Sequence, residues 1–196
     1  MKKIITISRE FGAGGGEIGR KVADKLGFEL YDKALIMQAA RSANVDPITM
    51  MKHDEKVSTF AAFTQSFFDF YNSPLDARLF DAEKEVIKKI GEHGKCVIVG
   101  RNANSILQEY DNTLHVFIHA NRYWRVMRMK NGGMKEYSEE KISLYMRDVD
   151  KARRKYCSFY TDTEFGAAEF YTLCLSTSAL GIDKCVDIIC SIAQDK

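Results

Sequence analysis

The sequence predicts an α/β fold: a parallel sheet of about five strands in a three-layer arrangement, with helices on both faces. Three observations predict it. Short β-prone runs alternate with segments of helical periodicity along most of the chain. Two of those runs, 95–99 and 114–118, are apolar at most positions, as strands buried on both faces are. The first run is followed by a glycine-rich turn and a helix, the local pattern of an anion site.

Residues 4–8 open the chain as a strand, with Ile4, Ile5 and Ile7 supplying β-branched bulk. Glycine fills four of the five positions 12–16. A helix follows, in which Ile18, Val22 and Leu26 recur every fourth residue and Gly27 marks the stop. Residues 28–31 read as a second short strand, and helices are predicted from Lys33 to Ala43 and through the fifties. Phe60, Phe63, Phe67, Phe68, Phe70, Tyr71 and Phe80 make the stretch 60–80 too aromatic for a free linker. It is expected to form a helical insertion, spanning residues 45–80, that covers a site or forms a homodimer interface. Residues 81–90 form a helix with Ala82, Val86 and Ile90 on one face and Glu85 four residues before Lys89 on the other. Strands 95–99, 114–118 and 171–176 complete the sheet, with helices at 122–130, 138–155 and 182–193. The last helix turns Ile182, Cys185, Val186, Ile189 and Ala193 inward.

With 196 residues the chain holds one domain's worth of core. A hydrophobic share of 45% beside 29% charged residues excludes a disordered chain. No apolar run is long enough for a membrane helix or a secretory signal, so a cytoplasmic protein without a membrane partner is expected. Net charge is only +2, which gives no reason to expect nucleic acid. The distribution is uneven: residues 121–155 hold 11 Lys/Arg against 5 Asp/Glu, which points to local recognition of an anion or to a solvated helix face. The five cysteines form no CxxC pair, and His115 and His119 lie within a strand-like run, so no metal site is expected.

The glycine stretch admits two readings. Gly14, Gly16 and Gly19 spell the dinucleotide fingerprint GxGxxG, with Asp32 18 residues past Gly14. That pattern places its first glycine at the strand end, whereas Gly14 comes six residues after Ser8. The spacing suits the longer loop of the P-loop type. In its pattern GxxxxGK[ST], Arg9 replaces the first glycine, Gly14 is the second, Gly15 replaces the lysine and Gly16 the hydroxyl residue.

Several further segments carry a family resemblance. Ser8-Arg9-Glu10-Phe11-Gly12 with Gly14-Gly15 resembles the loop of the cytidylate kinase-like family, a variant of the P-loop. Tyr31-Asp32 is similar to the family's turn after its first helix. Val97-Ile98-Val99-Gly100-Arg101 resembles its third-strand end, with Asn102 in place of aspartate. Phe117-Ile118-His119-Ala120, then Arg125 and Arg128, resemble its next strand and helix. Asp150 with Arg153 matches a lid-helix pair, and Leu175-Ser176-Thr177-Ser178 before Gly181-Ile182 matches the closing strand and helix.

The resemblance implies a single nucleoside monophosphate kinase-like domain over residues 1–196, of P-loop NTPase type, with a helical lid at 130–160. It implies ATP with Mg²⁺ and a nucleoside monophosphate as partners, CMP or dCMP favoured. Candidate phosphate-binding residues are Gly12, Ala13, Gly14, Gly15 and Gly16. Arg9, Arg125 and Arg128 are the candidate catalytic cations, since guanidinium forks suit phosphate oxygens. Asp32, Arg101, Asp150 and Arg153 are the candidate acceptor-binding residues. Asp32 also fits a helix cap, and Asp150 with Arg153 an intrahelical ion pair. Lid arginines without partners would repel one another until phosphate arrives. Because the loop lysine and hydroxyl are missing, a nucleotide-binding protein without phosphoryl transfer is the second reading. A dinucleotide-dependent oxidoreductase is the third.

Overall fold

The computed structural model describes residues 3–41 and 77–195. Strands β1 (Ile4–Arg9), β2 (Glu29–Tyr31), β3 (Cys96–Val99), β4 (Thr113–His119) and β5 (Leu173–Ser176) form one sheet. The spatial order is β2-β3-β1-β4-β5 and every pairing is parallel. Its helices are α1 (Gly15–Leu26), α2 (Lys33–Arg41), α3 (Ala77–His93), α4 (Ala103–Ile106), α5 (Arg122–Asn131), α6 (Glu139–Tyr160), α7 (Thr177–Leu180) and α8 (Ile182–Gln194).

Alternation along the strands builds two cores, one on each face. Ile5, Ile7, Val97, Val99, Leu114, Val116 and Ile118 pack against Ile18 and Val22 of α1 and Cys185, Val186 and Ile189 of α8. Ile4, Cys96 and Ile98 turn the other way, onto Ile36 of α2, Val86, Ile87 and Ile90 of α3, and Leu107. A third, smaller core lies off the sheet. There Phe11 from the glycine loop meets Val126 and Met129 of α5, Met134, and Ile142, Met146 and Val149 of α6.

The topology makes the C-terminal edge of the sheet the ligand edge. The connection from β1 crosses to β2 on one side, and the connection from β4 runs to β5 on the other. The crevice between these diverging connections is where open α/β sheets bind ligands. This order puts β3 beside β1, whereas the dinucleotide-binding order puts β2 there, so the sheet does not support the oxidoreductase reading.

Several local boundaries differ from the sequence reading. β1 runs on to Arg9, so that residue ends a strand instead of starting a loop. Gly15 and Gly16 belong to the first turn of α1, leaving 10–14 as the loop proper. α6 continues to Tyr160, and β5 begins at Leu173. α4, α7 and a 3₁₀ turn at Ala168–Phe170 are too short to show a helical period. The expected insertion and aromatic dimer segment lie outside the described residues up to position 76. Phe80 is buried on α3, against the rings of Tyr156 and Tyr160. Among the described residues, no helix is long and apolar enough to cross a membrane.

Candidate active site

The glycine loop combines two left-handed glycines with an uncapped helix start. Gly12 and Gly14 have φ of 79° and 88°, a region glycine enters without steric cost. Gly14 is the N-cap of α1 and supplies no side-chain cap, which leaves the first-turn amides of a 12-residue helix available to an anion. A Cβ on Gly15 would lie 2.6 Å from Cβ of Arg9, so glycine there lets α1 close over the end of β1. Nothing lies within 4 Å of the Cβ position at Gly16, which faces open space.

Two of the predicted cations flank this loop. The Arg9 side chain passes between Gly15 and Gly100, since a Cβ on Gly100 would strike its Nη1. Arg128 lies on the α5 side, with Nε 3.6 Å from the Cβ position at Gly14, and donates to Glu17 of α1 at 2.6 Å. Lys21 is turned away, into ion pairs with Asp183 at 2.7 Å and Glu17 at 3.3 Å.

Arg125, Asp150 and Arg153 form a buried network that grips the loop backbone. Asp150 accepts from the amide of Phe11 at 2.7 Å and from Arg125 Nη1 at 2.6 Å. Arg125 donates also to the Phe11 carbonyl at 3.2 Å, and Arg153 to the Arg9 carbonyl at 2.5 Å. Asp150 and Arg153 are 3% and 5% exposed, so solvent screening is weak and the pairing strong. The intrahelical Arg153–Asp150 contact is longer, 3.6 Å. These three arginines already have charge partners within the fold: Arg125 and Arg153 face Asp150, and Arg128 faces Glu17; of the three, Arg153 lies in the expected lid segment.

Other elements hold the loop from behind. Glu10 accepts from the amide of Ala120 at 3.1 Å while its own amide donates to the Ile118 carbonyl at 3.0 Å. Thr177 donates to the Ala13 carbonyl at 2.9 Å, tying the end of β5 to the loop. The Phe11 ring sits edge-on to Tyr145 at 5.2 Å within the third core.

A small polar cavity of about 20 Å³ lies beside the end of β3, lined by Arg9, Arg101 and Arg153 together with Ser8, Asn102, Asn104, Tyr156 and Tyr171. No carboxylate lines it among the described residues. Arg101 is buried and pairs with Glu83 of α3, and its guanidinium lies over the Tyr156 ring, 4.7 Å from the centroid. Tyr156 donates to the same Glu83 oxygen at 2.9 Å. Burial pushes the Tyr171 phenol above its ordinary pKa, keeping it protonated and able to donate. The backbone here is strained: Gly100, Arg101 and Asn102 have φ of 88°, 61° and 54° in succession. Consecutive non-glycine residues in that region persist only where surrounding contacts impose it, commonly at ligand sites.

Arg9, Arg101 and Arg153 thus line one small cavity, Arg128 adjoins the loop, and Arg125 and Asp150 grip it. Asp32 stands apart, at the end of edge strand β2, where its Oδ1 caps α2 by accepting from Ala34 at 2.9 Å and Leu35 at 3.2 Å. No cluster of three His, Cys, Asp or Glu suited to a metal exists among the described residues. Sequence reasoning missed Glu83, Tyr156, Thr177 and the anchoring by Phe11. Glu83 carried a legible signal, a carboxylate between Phe80 and Val86 on the apolar stripe of α3.

An uncharacterised protein from Eubacterium ventriosum superposes with a TM-score of 0.76 at 23% identity, over 99% of each chain. Shikimate kinase from Bacteroides thetaiotaomicron gives 0.57 at 13% identity, covering 98% of this chain and 99% of its own. A gluconokinase from Sinorhizobium meliloti gives 0.51 at 14%, covering 98% and 94%. At such identities the likeness shows the fold, that of the P-loop kinases. No curated protein matches the sequence. The model of one family, the cytidylate kinase-like family, matches residues 4–179. That span takes in the glycine loop, the Gly100–Asn102 turn and the α5–α6 hairpin alike, and the chain belongs to the cytidylate kinase-like family.

Proposed function

We propose that the chain is an ATP-dependent nucleoside monophosphate kinase, with CMP or dCMP the favoured acceptor. The observation that carries this reading is the glycine loop: the uncapped start of α1 with its first-turn amides available to an anion, flanked by Arg9 on one side and Arg128 on the other, at the C-terminal edge of the sheet. In phosphoryl transfer the protein positions the phosphates and stabilises charge on the migrating group, and this arrangement supplies both.

The donor phosphates fit the loop, where free helix amides and the bare Cα of Gly16 permit close approach. Arg9 and Arg128, on opposite sides of that loop, take over the charge of the missing lysine, with Arg125 behind them. Arg101 and Arg153 hold the anionic group of the acceptor, and Asp150 keeps Arg125 and Arg153 oriented. A part for Asp32 on the acceptor side rests on the resemblance alone. With no hydroxyl at Gly16 and no acidic cluster among the described residues, the site fits Mg²⁺ carried by phosphate oxygens and water. When bound, Mg²⁺ neutralises charge on the donor phosphates.

Thermal unfolding with ATP, CMP, dCMP, UMP, AMP and NAD tests the reading. A ligand at 100 times its Kd stabilises the folded state by about 2.7 kcal/mol, so ATP and CMP should each raise Tm and do so together. ADP release should then depend on the acceptor. Stabilisation by ATP alone, without turnover, supports the second reading, a nucleotide binder without transfer. Gly15 and Gly16, which stand where lysine and a hydroxyl residue would be, favour that alternative. A homodimer through residues 60–80 is a further part of the proposal, checked by sedimentation velocity.

A further inference from the structure

The basic stretch 121–155 is followed by its opposite. Residues 156–183 contain no Lys, Arg or His and hold four acidic residues, Asp162, Glu164, Glu169 and Asp183. Part of this segment walls a cavity of about 270 Å³ whose other side is formed by Asn104, Gln108 and His115. The cavity lies against β4 on the sheet face that Thr6 shares, away from α1 and α8. Its floor is fixed by hydrogen bonds. The Thr172 amide donates to the His115 carbonyl at 2.8 Å, the His115 amide donates to Thr172 Oγ1 at 3.3 Å, and His115 Nδ1 lies 2.8 Å from Oγ1 of buried Thr6. Its rim is the 3₁₀ turn Ala168–Phe170, closed by the Tyr171 amide donating to the Ala168 carbonyl at 3.1 Å. A wall already ordered spares a ligand the cost of ordering it.

The lining has one sign of charge. Among the described residues no Lys, Arg or second carboxylate lines the cavity, and Glu169 makes no ion pair there. Phe170 and Tyr171 add aromatic surface, which attracts cations, and the amide oxygens of Asn104 and Gln108 can accept from N–H groups. Asn104 and Tyr171 also wall the arginine cavity, so two spaces of opposite charge stand back to back. We propose that this cavity is a second binding site, for a small organic cation of the ammonium or amidinium class. Glu169 takes the positive charge, and Phe170 and Tyr171 take the apolar body. The volume lies just below the roughly 300 Å³ at which drug-sized ligands begin, which suits a ligand of one ring or less. The site does not rest on the kinase reading, whose ligands are all anions.

Amide-resolved NMR titration of the full chain with benzamidinium, and with its neutral isostere benzamide, tests the site. Shifts should fall on residues 108, 115 and 169–172, and the cation should bind about fivefold more tightly, the most an exposed ion pair supplies. Glu169 is exposed, so Glu169→Gln should keep the fold, abolish that preference and leave benzamide binding unchanged. Phe170→Leu should weaken both probes. Glu164→Gln, outside the lining, should change neither. Absence of binding, equal affinity for the two probes, or shifts confined to other residues overturn the proposal. Equal losses in Glu164→Gln and Glu169→Gln overturn it too, because they mark diffuse attraction to an acidic segment. Each of these failures leaves the kinase reading standing.

Discussion

Arg9 ends the central strand, and its side chain lies where the loop and the third strand approach most closely, between Gly15 and Gly100. A single guanidinium there reaches the space over the start of α1, which a loop lysine would otherwise serve. We expect Arg9→Ala to fold normally by circular dichroism and to lose about 10²-fold or more in phosphoryl transfer. Retention of comparable activity would move the role to Arg128 or Arg125. Cys96 gives a different prediction at the same scale. Burial pushes its thiol up to about 12. The folded thiol therefore holds a proton that the unfolded one, with a pKa of about 8.5, gives up. Its contribution is full below that value and falls as pH rises toward the folded pKa. The Tm gap between wild type and Cys96→Ala should narrow above about pH 9, as melts across that range would show.

At the scale of elements, the α5–α6 hairpin is bound to the glycine loop by a ring, a carboxylate and two guanidiniums. The C-terminal half of α6 carries Asp150 and Arg153, whereas residues 135–141, around its N-terminus, are exposed. Hydrogen exchange without nucleotide should therefore find residues 149–157 well protected and residues 132–141 fast. Added ATP should slow the second group and change the first little. Slow exchange in both groups before nucleotide is added would count against any lid motion. The elements that carry this joint differ in how far the sequence showed them. Both helices were legible from spacing and charge. The joint was not, because Phe11 and Asp150 lie 139 positions apart and a hydrogen bond to a backbone amide leaves no mark on composition.

Across the whole molecule, β1 belongs to both faces: Ile4 enters one core, and Ile5 and Ile7 the other, before the strand runs into the loop. Ile5→Ala should cost about 2–5 kcal/mol and leave one cooperative transition. Urea unfolding followed by Trp124 fluorescence and by far-UV circular dichroism should give coincident midpoints, because Trp124 packs on the same core as Ile5. The sheet was legible in the sequence because strands buried on both faces show as continuous apolar runs, and β1, β3 and β4 are such strands. The short helices α4 and α7 were hidden, being a single turn each. Of the candidate site, the residue types and the sheet edge were readable. The pairing of Arg101 with Glu83, and the capping role that occupies Asp32, needed the tertiary structure.

The shared anchoring of loop and hairpin bears on how this chain could change by descent. A point mutation restoring lysine at Gly15 would place its Cβ 2.6 Å from that of Arg9, so the ordinary side chain cannot simply be regained. A transplanted loop without a ring at position 11 would leave empty the space that Phe11 fills among Val126, Met129 and Ile142. Loop and hairpin thus pack as one module, and a chimera that takes the two segments from different parents should melt at a lower temperature than one that takes both from the same parent.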